Sequence, residues 1–332
     1  MKSRLLSFMS LFLLSIVLVT ACKNTPVISQ KESPPLIVNI YLWPGYFPMV
    51  IASEKGFFQQ QGVNVKPVYS NSYLTSVSEV NSGKYDGIAT TMGSIMNIIG
   101  KDPEMQIVLV TDQSAGADAV VVQRNIQQVA DLKGKRIGVK LGDFGELFVT
   151  TMLEKNGLTN DDVRLVNVEA EAVPTHLKSG DIQGGHTWEP HLSQLAKSEA
   201  YVLFSTKQTP GLIPGIVVFR SSVVREHPEQ IKAFIRAWFQ AQDYWKANAE
   251  ECKALIAKTL SIKPEEVTTD GIQLYTLKEN LKAFTPGTTP RSLYHTAQLY
   301  ADFFIRKGVL SAAPDIQKLI APFFVQQLQK VN

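Results

Sequence analysis

Short β-rich segments alternate with helical segments along the first two thirds of the chain, and this alternation limits the possible folds more than any other feature. Strand–helix–strand units with short loops form right-handed crossovers, which place the strands in a mostly parallel sheet. The pattern therefore predicts an α/β fold. The first series of strand candidates is LIVNIYLW, VNVKPVYS, DGIATTM and IVLVTD.

A second series of the same kind begins at AVVVQ and continues with RIGVKLG, VRLVNV, QGGHTW, YVLFST and IVVFRS. From Pro228 onward the sequence is mainly helical, with apolar residues at spacings of three and four. A chain of 332 residues, 45% of them apolar, can bury a large core and usually divides into two lobes. The two series therefore predict two α/β lobes.

The N-terminus begins with two cations, continues with an apolar run and ends in small residues before Cys22. This pattern is typical of a secretory signal. Its last four residues, VTAC, resemble a bacterial lipobox, in which the cysteine is acylated. We therefore expect a lipoprotein signal peptide at 1–21, a lipidated tether at 22–35, and an exported protein anchored to a bacterial membrane. An ordinary signal peptide cut near Ala21 is the alternative.

Composition excludes several classes of protein. The net charge is only +3, so no basic patch indicates nucleic-acid binding. Apart from Cys22, the only cysteine is Cys252, which leaves no pair for an intrachain disulfide once Cys22 is acylated. Neither a P-loop, a dinucleotide-binding glycine pattern nor a G-x-S-x-G motif is present. We expect no cofactor, and a monomer stabilised by packing alone.

Several phrases follow one another in order between about residues 36 and 250. They are WPGYFPMVIASEKGFFQQQGVNV, SGKYDGIATT, GADAVVV, VADLKGKRIGVKLG, LTNDDVRLVNV, KSGDIQGGHTWEP and IVVFRSSVVREHPEQIKAFIRAW. Together they resemble the nitrate/sulfonate/taurine class (NMT1/THI5-like) of ABC-transporter solute-binding proteins, which also includes binders of thiamine-precursor pyrimidines. The resemblance implies a type II periplasmic-binding-protein fold, with mixed, mostly parallel sheets in two lobes and two crossover hinges.

The resemblance also implies where the chain passes between the lobes. The expected crossings are 112–119 and 211–217, which assign 36–115 and 220–332 to lobe 1 and 116–219 to lobe 2. Proteins of this class capture a small-molecule solute between the lobes and deliver it to an ABC permease and its ATPase. These are the partners that the resemblance implies, together with the membrane through the N-terminal lipid.

The first candidate site residues are aromatic. In an open parallel sheet, ligands collect beyond the carboxyl ends of the strands. Trp43 and Tyr46 lie in the first such loop, where Pro44 and Gly45 interrupt the strand. We therefore expect two flat aromatic faces at the cleft. Packing of Trp43 against the strand end and of Tyr46 against the helix start is the alternative.

Polar residues follow the second and third strand candidates. Asn71, Thr90 and Thr91 stand where a strand leads into a helix, so their side chains could donate hydrogen bonds to a ligand. The alternative is that such residues cap the following helices, as Ser, Thr and Asn do in many proteins. Because both sets follow strands of one lobe, we expect them to lie on the same rim.

The segment KLGDFGELFV places Gly142, Asp143 and Phe144 at the start of a helix in lobe 2. Glycine lets the backbone approach a ligand, and a helix N-terminus suits an anionic or polar group. These three residues are therefore candidates for ligand contact. Helix capping is the alternative for Asp143.

Asp118 stands next to an apolar strand at the first crossing, so it either binds the ligand or braces the hinge. In HTWEPH, Trp188 and Glu189 are expected to face the cleft, as the family resemblance implies. His186 and His191 do not have a metal-binding spacing, because the stretch matches neither H-E-x-x-H nor H-x-x-E-H. We expect no metal site here, and a core position for His186.

Solute binding for import is the leading function, and two rivals remain. One is an enzyme on the same fold, such as a hydrolase or a pyrimidine-synthesis relative, and the other is a lipid-anchored solute sensor. The candidate cleft loops contain carboxylates and aromatic rings but no arginine. This favours a zwitterion such as an aminosulfonate over bare nitrate or bicarbonate, with an amino-pyrimidine-like ring as runner-up.

The membrane anchor can be tested by replacing Cys22 with Ala, which removes the acylated side chain. We expect the variant to remain unprocessed or to be released from the membrane, because lipidation and cleavage both depend on this residue. Labelling with a radioactive or clickable fatty acid, followed by fractionation, measures the outcome. A normally processed and still lipid-labelled variant would contradict the assignment.

Overall fold

The computed structural model describes residues 34–70, 72–99, 104–195 and 200–329. The expected signal peptide, Cys22, most of the tether and Asn71 lie outside these residues. Among the residues described, no helix has both the length and the apolar content needed to cross a membrane.

Strands and helices alternate in the order that the sequence predicts. The strands are β1 (Leu36–Tyr41), β2 (Val65–Ser70), β3 (Gly87–Thr91), β4 (Met105–Ser114), β5 (Asp118–Gln123), β6 (Arg136–Val139), β7 (Arg164–Asn167), β8 (Gly184–Trp188), β9 (Ala200–Ser205), β10 (Pro214–Arg220) and β11 (Ile272–Leu274). The helices are α1 (Phe47–Glu54), α2 (Phe57–Gln60), α3 (Tyr73–Ser78), α4 (Met92–Ile99), α5 (Phe144–Lys155), α6 (Val173–Ser179), α7 (His191–Leu195), α8 (Ser221–Glu226), α9 (Pro228–Ala247), α10 (Ala249–Leu260), α11 (Leu277–Ala283), α12 (Leu293–Arg306), α13 (Ile316–Leu319) and α14 (Phe323–Gln329).

The strands form two mixed sheets, as the resemblance implied. The first sheet has the order β11-β4-β10-β3-β1-β2, and the second has the order β7-β6-β8-β5-β9. Parallel pairs join β1 to β2 and β3, and β6 to β7 and β8. Pairing is antiparallel where the chain leaves or re-enters a sheet, between β4 and β10 and between β5 and β9. Strands that carry the chain in opposite directions between the lobes cannot pair in parallel.

The expected lobe boundary at 219 lies too far along the chain. Strand β10 belongs to the first sheet, because it pairs with both β3 and β4. Its second residue, Gly215, lies opposite Thr91 on one side and Asp112 on the other. The return crossing therefore ends before Pro214, where β10 begins. Lobe 1 below means the first sheet with its helices, and lobe 2 means the second sheet with its helices.

Apolar strands and amphipathic helices supply the core around each sheet. The β3 and β5 strands are buried over nearly their whole length. Helix α9 packs one face on α1 and α2, and its Phe234 and Trp238 side chains are fully buried. Burial of each aromatic side chain of this size stabilises the folded state by several kcal/mol, at about 25 cal/mol per Å² of apolar area removed from water.

A short strand from the helical C-terminal part of the chain holds the first crossing. Strand β11 pairs with the last residues of β4, and the carbonyl of Gly271 accepts hydrogen bonds from the amides of Ala115 (2.7 Å) and Ala117 (3.1 Å). The sequence did not predict this strand, because three residues are too few to show an alternating pattern. Lobe 1 therefore fixes the backbone at the point where the chain leaves it.

Gly271 is expected to tolerate no side chain. Its φ is +72°, and a Cβ would collide with the backbone nitrogen of Ala117. Gly308 is a matched control, because its φ is +70° but no atom lies within 4 Å of a Cβ placed there. Gly271→Ala should lower the free energy of unfolding by about 1–3 kcal/mol more than Gly308→Ala, since only the first adds overpacking to the shared left-handed strain. Denaturant unfolding measures both, and equal losses would contradict the hinge contact.

Candidate functional site

The two lobes meet around a small cavity beyond the carboxyl ends of the parallel strands. Both lobes contribute, and the volume is about 10 Å³, which is close to the room that one water molecule needs. The lobes are therefore closed on one another, and a solute can enter only if they move apart. The lining residues are Tyr41, Trp43, Thr91, Asp118, Phe144, Trp188, Ile213 and Gly215.

The aromatic walls come from both lobes. Trp43 and Trp188 are 6% and 4% exposed, so neither ring faces open solvent. The ring centroids of Phe144 and Trp188 lie 5.6 Å apart. Tyr73 of lobe 1 contacts both rings of lobe 2, with centroid distances of 5.9 Å to Phe144 and 5.6 Å to Trp188. The aromatic cluster therefore spans the boundary between the lobes.

Tyr46 lies behind this wall rather than in it. Its side chain is fully buried, and its ring packs edge-on against that of Tyr41 at a centroid distance of 5.4 Å. Tyr41 lines the cavity and was not singled out from the sequence. Its position as the last residue of β1 is the signal that could have identified it, because ligands collect beyond that end of a strand.

Asp118 brings a carboxyl group to the cavity. It is 1% exposed and begins β5, where it lies directly opposite Trp188 of β8. One oxygen, Oδ1, lies 3.0 Å from Nε2 of His186, while Oδ2 has no hydrogen-bond partner among the described residues. A buried carboxylate oxygen without a partner is costly, and a cation or an N–H donor in the cavity would remove that cost.

His186 is buried, as expected, but it is not an isolated core residue. Its ring lies 5.6 Å from Phe144, 5.4 Å from Phe148 and 5.7 Å from Trp188. With its proton on Nε2, the imidazole donates to Asp118 and fixes the orientation of the carboxyl group. Among the described residues, no group of three or more His, Cys, Asp or Glu side chains is arranged to hold a metal ion.

The start of α5 connects the lobes. Asp143 caps the helix, because its carboxylate accepts a hydrogen bond from the Phe144 amide at 2.7 Å. It also accepts one from the hydroxyl of Tyr73, which belongs to lobe 1. Burial raises the pKa of the Asp143 carboxyl, and the Tyr73 hydroxyl and Phe144 amide partly offset this effect. Of the three residues predicted here, Phe144 alone lines the cavity.

Two more bonds between the lobes lie beside Asp143. Gly142 accepts a hydrogen bond through its carbonyl from Nδ2 of Asn97 at 2.7 Å. Glu146 forms an ion pair with Nζ of Lys307 at 2.6 Å, and Glu146 is buried. Asn97 and Lys307 belong to lobe 1, so these contacts form only when the lobes close.

Three other predicted residues take different places. Thr91 lines the cavity, and its Oγ1 accepts a hydrogen bond from the Ser94 amide at 3.2 Å. Thr90 is fully buried outside the lining, because neighbouring strand residues face opposite sides of a sheet. Glu189 is also outside the lining, where its Oε2 accepts from the Ser193 amide at 3.0 Å and caps the start of α7. The first N–H groups of any helix have no partner within the helix, so they need an acceptor of this kind.

Asp112 is a second buried carboxyl group beside the cavity, and the sequence did not single it out. Its Oδ1 accepts from the indole Nε1 of Trp43 at 3.1 Å, and its Oδ2 accepts from Oγ1 of Thr111 at 2.6 Å. A Cβ on Gly45 or Gly215 would collide with this carboxyl group. Both positions must therefore be glycine for Asp112 to occupy its place.

The comparisons with known proteins agree on one family. The sequence profile described as NMT1/THI5 like matches residues 43–252. A protein of Brucella abortus named as a binding protein is 26% identical over 314 residues, which cover 91% of this chain and 93% of that protein. The taurine-binding periplasmic protein of Escherichia coli is 28% identical over 226 residues, or 58% of this chain and 70% of that protein.

The fold also matches solved structures. The periplasmic aliphatic sulphonate binding protein SsuA of Escherichia coli superposes with a TM-score of 0.71 at 17% identity, over 86% of this chain and 92% of that one. The expected two-lobed periplasmic-binding-protein fold is therefore confirmed.

The bond between Tyr73 and Asp143 should favour the closed form. Tyr73→Phe removes a hydroxyl that donates to a carboxylate across the lobe boundary, so it should destabilise closure by about 1–3 kcal/mol. The radius of gyration from small-angle scattering without solute should increase. Tyr85→Phe is the control, because the Tyr85 hydroxyl donates to Glu79 within lobe 1. A Tyr73→Phe protein as compact as the control would contradict this role.

Proposed function

We propose, because this chain belongs to the NMT1/THI5-like family, that it is the solute-binding subunit of an ABC importer. It captures a small nitrogen-containing solute between its lobes and delivers it to a membrane permease with its ATPase. The unpaired Oδ2 of Asp118, in a cavity lined by aromatic rings, is the observation that carries this proposal.

The chemistry of the cavity favours a cationic nitrogen. A positive group in the cavity would lie next to Trp43 and Trp188, and a cation over an aromatic ring is stabilised by about 0.5–2 kcal/mol. An ammonium or ring N–H could donate at the same time to Asp118. No lysine or arginine is among the lining residues, so a bare anion would meet the Asp118 carboxyl group without a counter-charge.

A zwitterionic aminosulfonate is the leading solute class. Its ammonium would face Asp118, and its sulfonate would be bound by hydroxyl and backbone N–H donors such as those around Thr91. The taurine-binding relative supports this class, since taurine is an aminosulfonate. The runner-up is an amino-pyrimidine-like ring, whose flat face would lie against the tryptophans and whose amino group would donate to the same carboxylate.

Solute capture shifts the lobes from open to closed forms. The interlobe bonds of Asp143, Gly142 and Glu146 exist only in the closed form, so they add to the solute's own contacts. Because the solute touches residues of both lobes, it binds the closed form more tightly. The closed form then docks on the permease, while an exported, lipid-anchored sensor would use the same motion to signal.

Binding fits this site better than catalysis. The lining residues include no cysteine, serine or lysine, and the hydroxyls of Thr91 and Tyr41 contact the hydroxyls of Ser94 and Tyr46 rather than a general base. Asp118 and His186 are adjacent, but in a Ser-His-Asp arrangement the histidine must also contact the attacking hydroxyl. His186 is instead surrounded by the rings of Phe144, Phe148 and Trp188.

Calorimetry with a small panel of solutes tests the proposal. Taurine and 4-amino-5-hydroxymethyl-2-methylpyrimidine carry the amino group, while ethanesulfonate and nitrate lack it. Asp118→Asn should lose about tenfold or more in affinity for the amino-bearing solute, because a charge-assisted hydrogen bond contributes about 1.5–3 kcal/mol. Trp188→Ala should weaken binding by at least about 1 kcal/mol.

Asp86→Asn is the matched control for Asp118→Asn. Asp86 accepts a hydrogen bond from the Ile37 amide and precedes β3, at the end away from the cavity. Its replacement should leave solute affinity unchanged. Tighter binding of nitrate or ethanesulfonate by Asp118→Asn, with no loss for the amino-bearing solutes, would contradict a cationic ligand.

A further inference from the structure

Asp112 occupies a place that connects the solute cavity to the hinge. It lies near the end of β4, two residues before the strand ends and the chain leaves lobe 1. In the sheet it faces Gly215, which lines the cavity, and its Oδ1 holds the indole of Trp43, which forms a wall. Only the Trp43 side chain and the backbone of Gly215 therefore lie between Asp112 and a solute that contacts these two residues.

Among the residues that the structure describes, no lysine, arginine or histidine forms an ion pair with this carboxyl group. Both of its oxygens accept hydrogen bonds from neutral donors, the Trp43 indole and the Thr111 hydroxyl. Titratable groups that act on it include Tyr41 and Tyr46 from the first strand and turn, Asp118 from β5, and Tyr275 from the segment after β11, whose own charged neighbours include Glu279 and Arg291. None of the four groups that act on Asp112 itself carries a positive charge. A solute cation in the cavity would thus stabilise the ionised form of Asp112 as well as that of Asp118.

We propose that Asp112 is a specificity-determining residue whose proton is released when a cationic solute is captured. The inference rests on the proposed function, since it requires a solute with a positive group in this cavity. Before capture, the proton lies on Oδ2 and is donated to Oγ1 of Thr111, while Oδ1 keeps its bond to Trp43; in the ionised form the Thr111 hydroxyl turns and donates to Oδ2 instead. On capture, the Oδ2–H bond breaks, its electron pair stays on the carboxylate, and the proton passes to water.

The physical cause of the coupling is burial. Burial raises the pKa of Asp112 to about 7, the Thr111 and Trp43 hydrogen bonds oppose the rise, and the nearby Asp118 adds to it. A cation in the cavity stabilises the ionised form and lowers this pKa, so the solute prefers the ionised protein. Affinity must therefore increase with pH through about 7, and it should be about tenfold higher at pH 8 than at pH 6.

Titration of the Asp112 carboxyl group should be observable in the solute-free wild-type protein. One aspartate carboxyl carbon should titrate near pH 7 in ¹³C spectra, and this signal should be missing from Asp112→Asn. Thr111→Val should move its midpoint to higher pH, because the Thr111 hydroxyl stabilises the ionised form. This second variant keeps the test valid if Asp112→Asn folds poorly.

Calorimetry with taurine as the probe measures the coupling. In two buffers of different ionisation enthalpy at pH 6.5, wild-type protein should release most of a proton per taurine bound. Asp112→Asn keeps an acceptor for Trp43 but cannot titrate, so its proton release and tenfold pH dependence should disappear. Asp86→Asn should behave as wild type in both respects.

Each result has a distinct meaning. Two results overturn the role of Asp112 while leaving solute capture intact. One is an equal pH dependence of affinity in wild type and Asp112→Asn, and the other is an Asp112 carboxyl carbon that titrates near pH 4 in the solute-free protein. If neither taurine nor the amino-pyrimidine binds the wild-type protein, the proposed function fails and the coupling fails with it. A loss of affinity in Asp112→Asn that is the same at all pH values would reduce Asp112 to a structural support of Trp43.

Discussion

The burial of the Asp118 carboxyl group at the boundary of two lobes is the constraint on which the site depends. His186 satisfies one oxygen, and the other has no hydrogen-bond partner among the described residues, in a cavity with room for about one water molecule. Such a group is costly in the closed form unless a ligand supplies a positive charge or an N–H donor. The same cost disfavours closure without a solute and becomes a gain when the right solute is present. A carboxyl group in this position can therefore couple recognition to lobe motion.

Closure depends on a balance between this cost and the contacts that form across the boundary. The bonds from Tyr73 to Asp143, from Asn97 to Gly142 and from Lys307 to Glu146 favour the closed form whatever the solute. The hinge limits how the lobes move, because Gly271 holds the amides of Ala115 and Ala117. Under the proposed function, contacts that do not touch the solute would raise the affinity for every solute alike, while Asp118, the aromatic rings and Asp112 would decide which solute is bound.

Much of the fold followed from the sequence, and only part of the site did. The strand–helix alternation predicted two α/β lobes, and the loop after β1 was expected to bring Trp43 towards the cleft; in the structure Trp43 lines the cavity, and its contact with a solute stays a prediction. Tyr41 and Gly215 were missed because a lining position depends on which strands are neighbours. Asp143 caps a helix, which is the alternative that a local reading could not separate from ligand contact, and Glu189 also caps a helix, although nothing in the sequence indicated that role. The strand β10 was assigned to the wrong lobe because its partners, β3 and β4, are more than 100 positions away in the chain.

The sequence by itself determined the class of fold, the positions of the strand ends and the aromatic and acidic character of the cleft loops. These properties are local, because hydrophobic periodicity and turn residues act over a few positions. The tertiary structure alone decided which of the acidic side chains have partners. Asp118 meets His186 across 68 positions, Trp43 meets Asp112 across 69, and Tyr73 meets Asp143 across 70. Whether a buried carboxyl group is satisfied or free depends on neighbours that only packing of the two sheets brings together, and that difference distinguishes a binding group from a structural one.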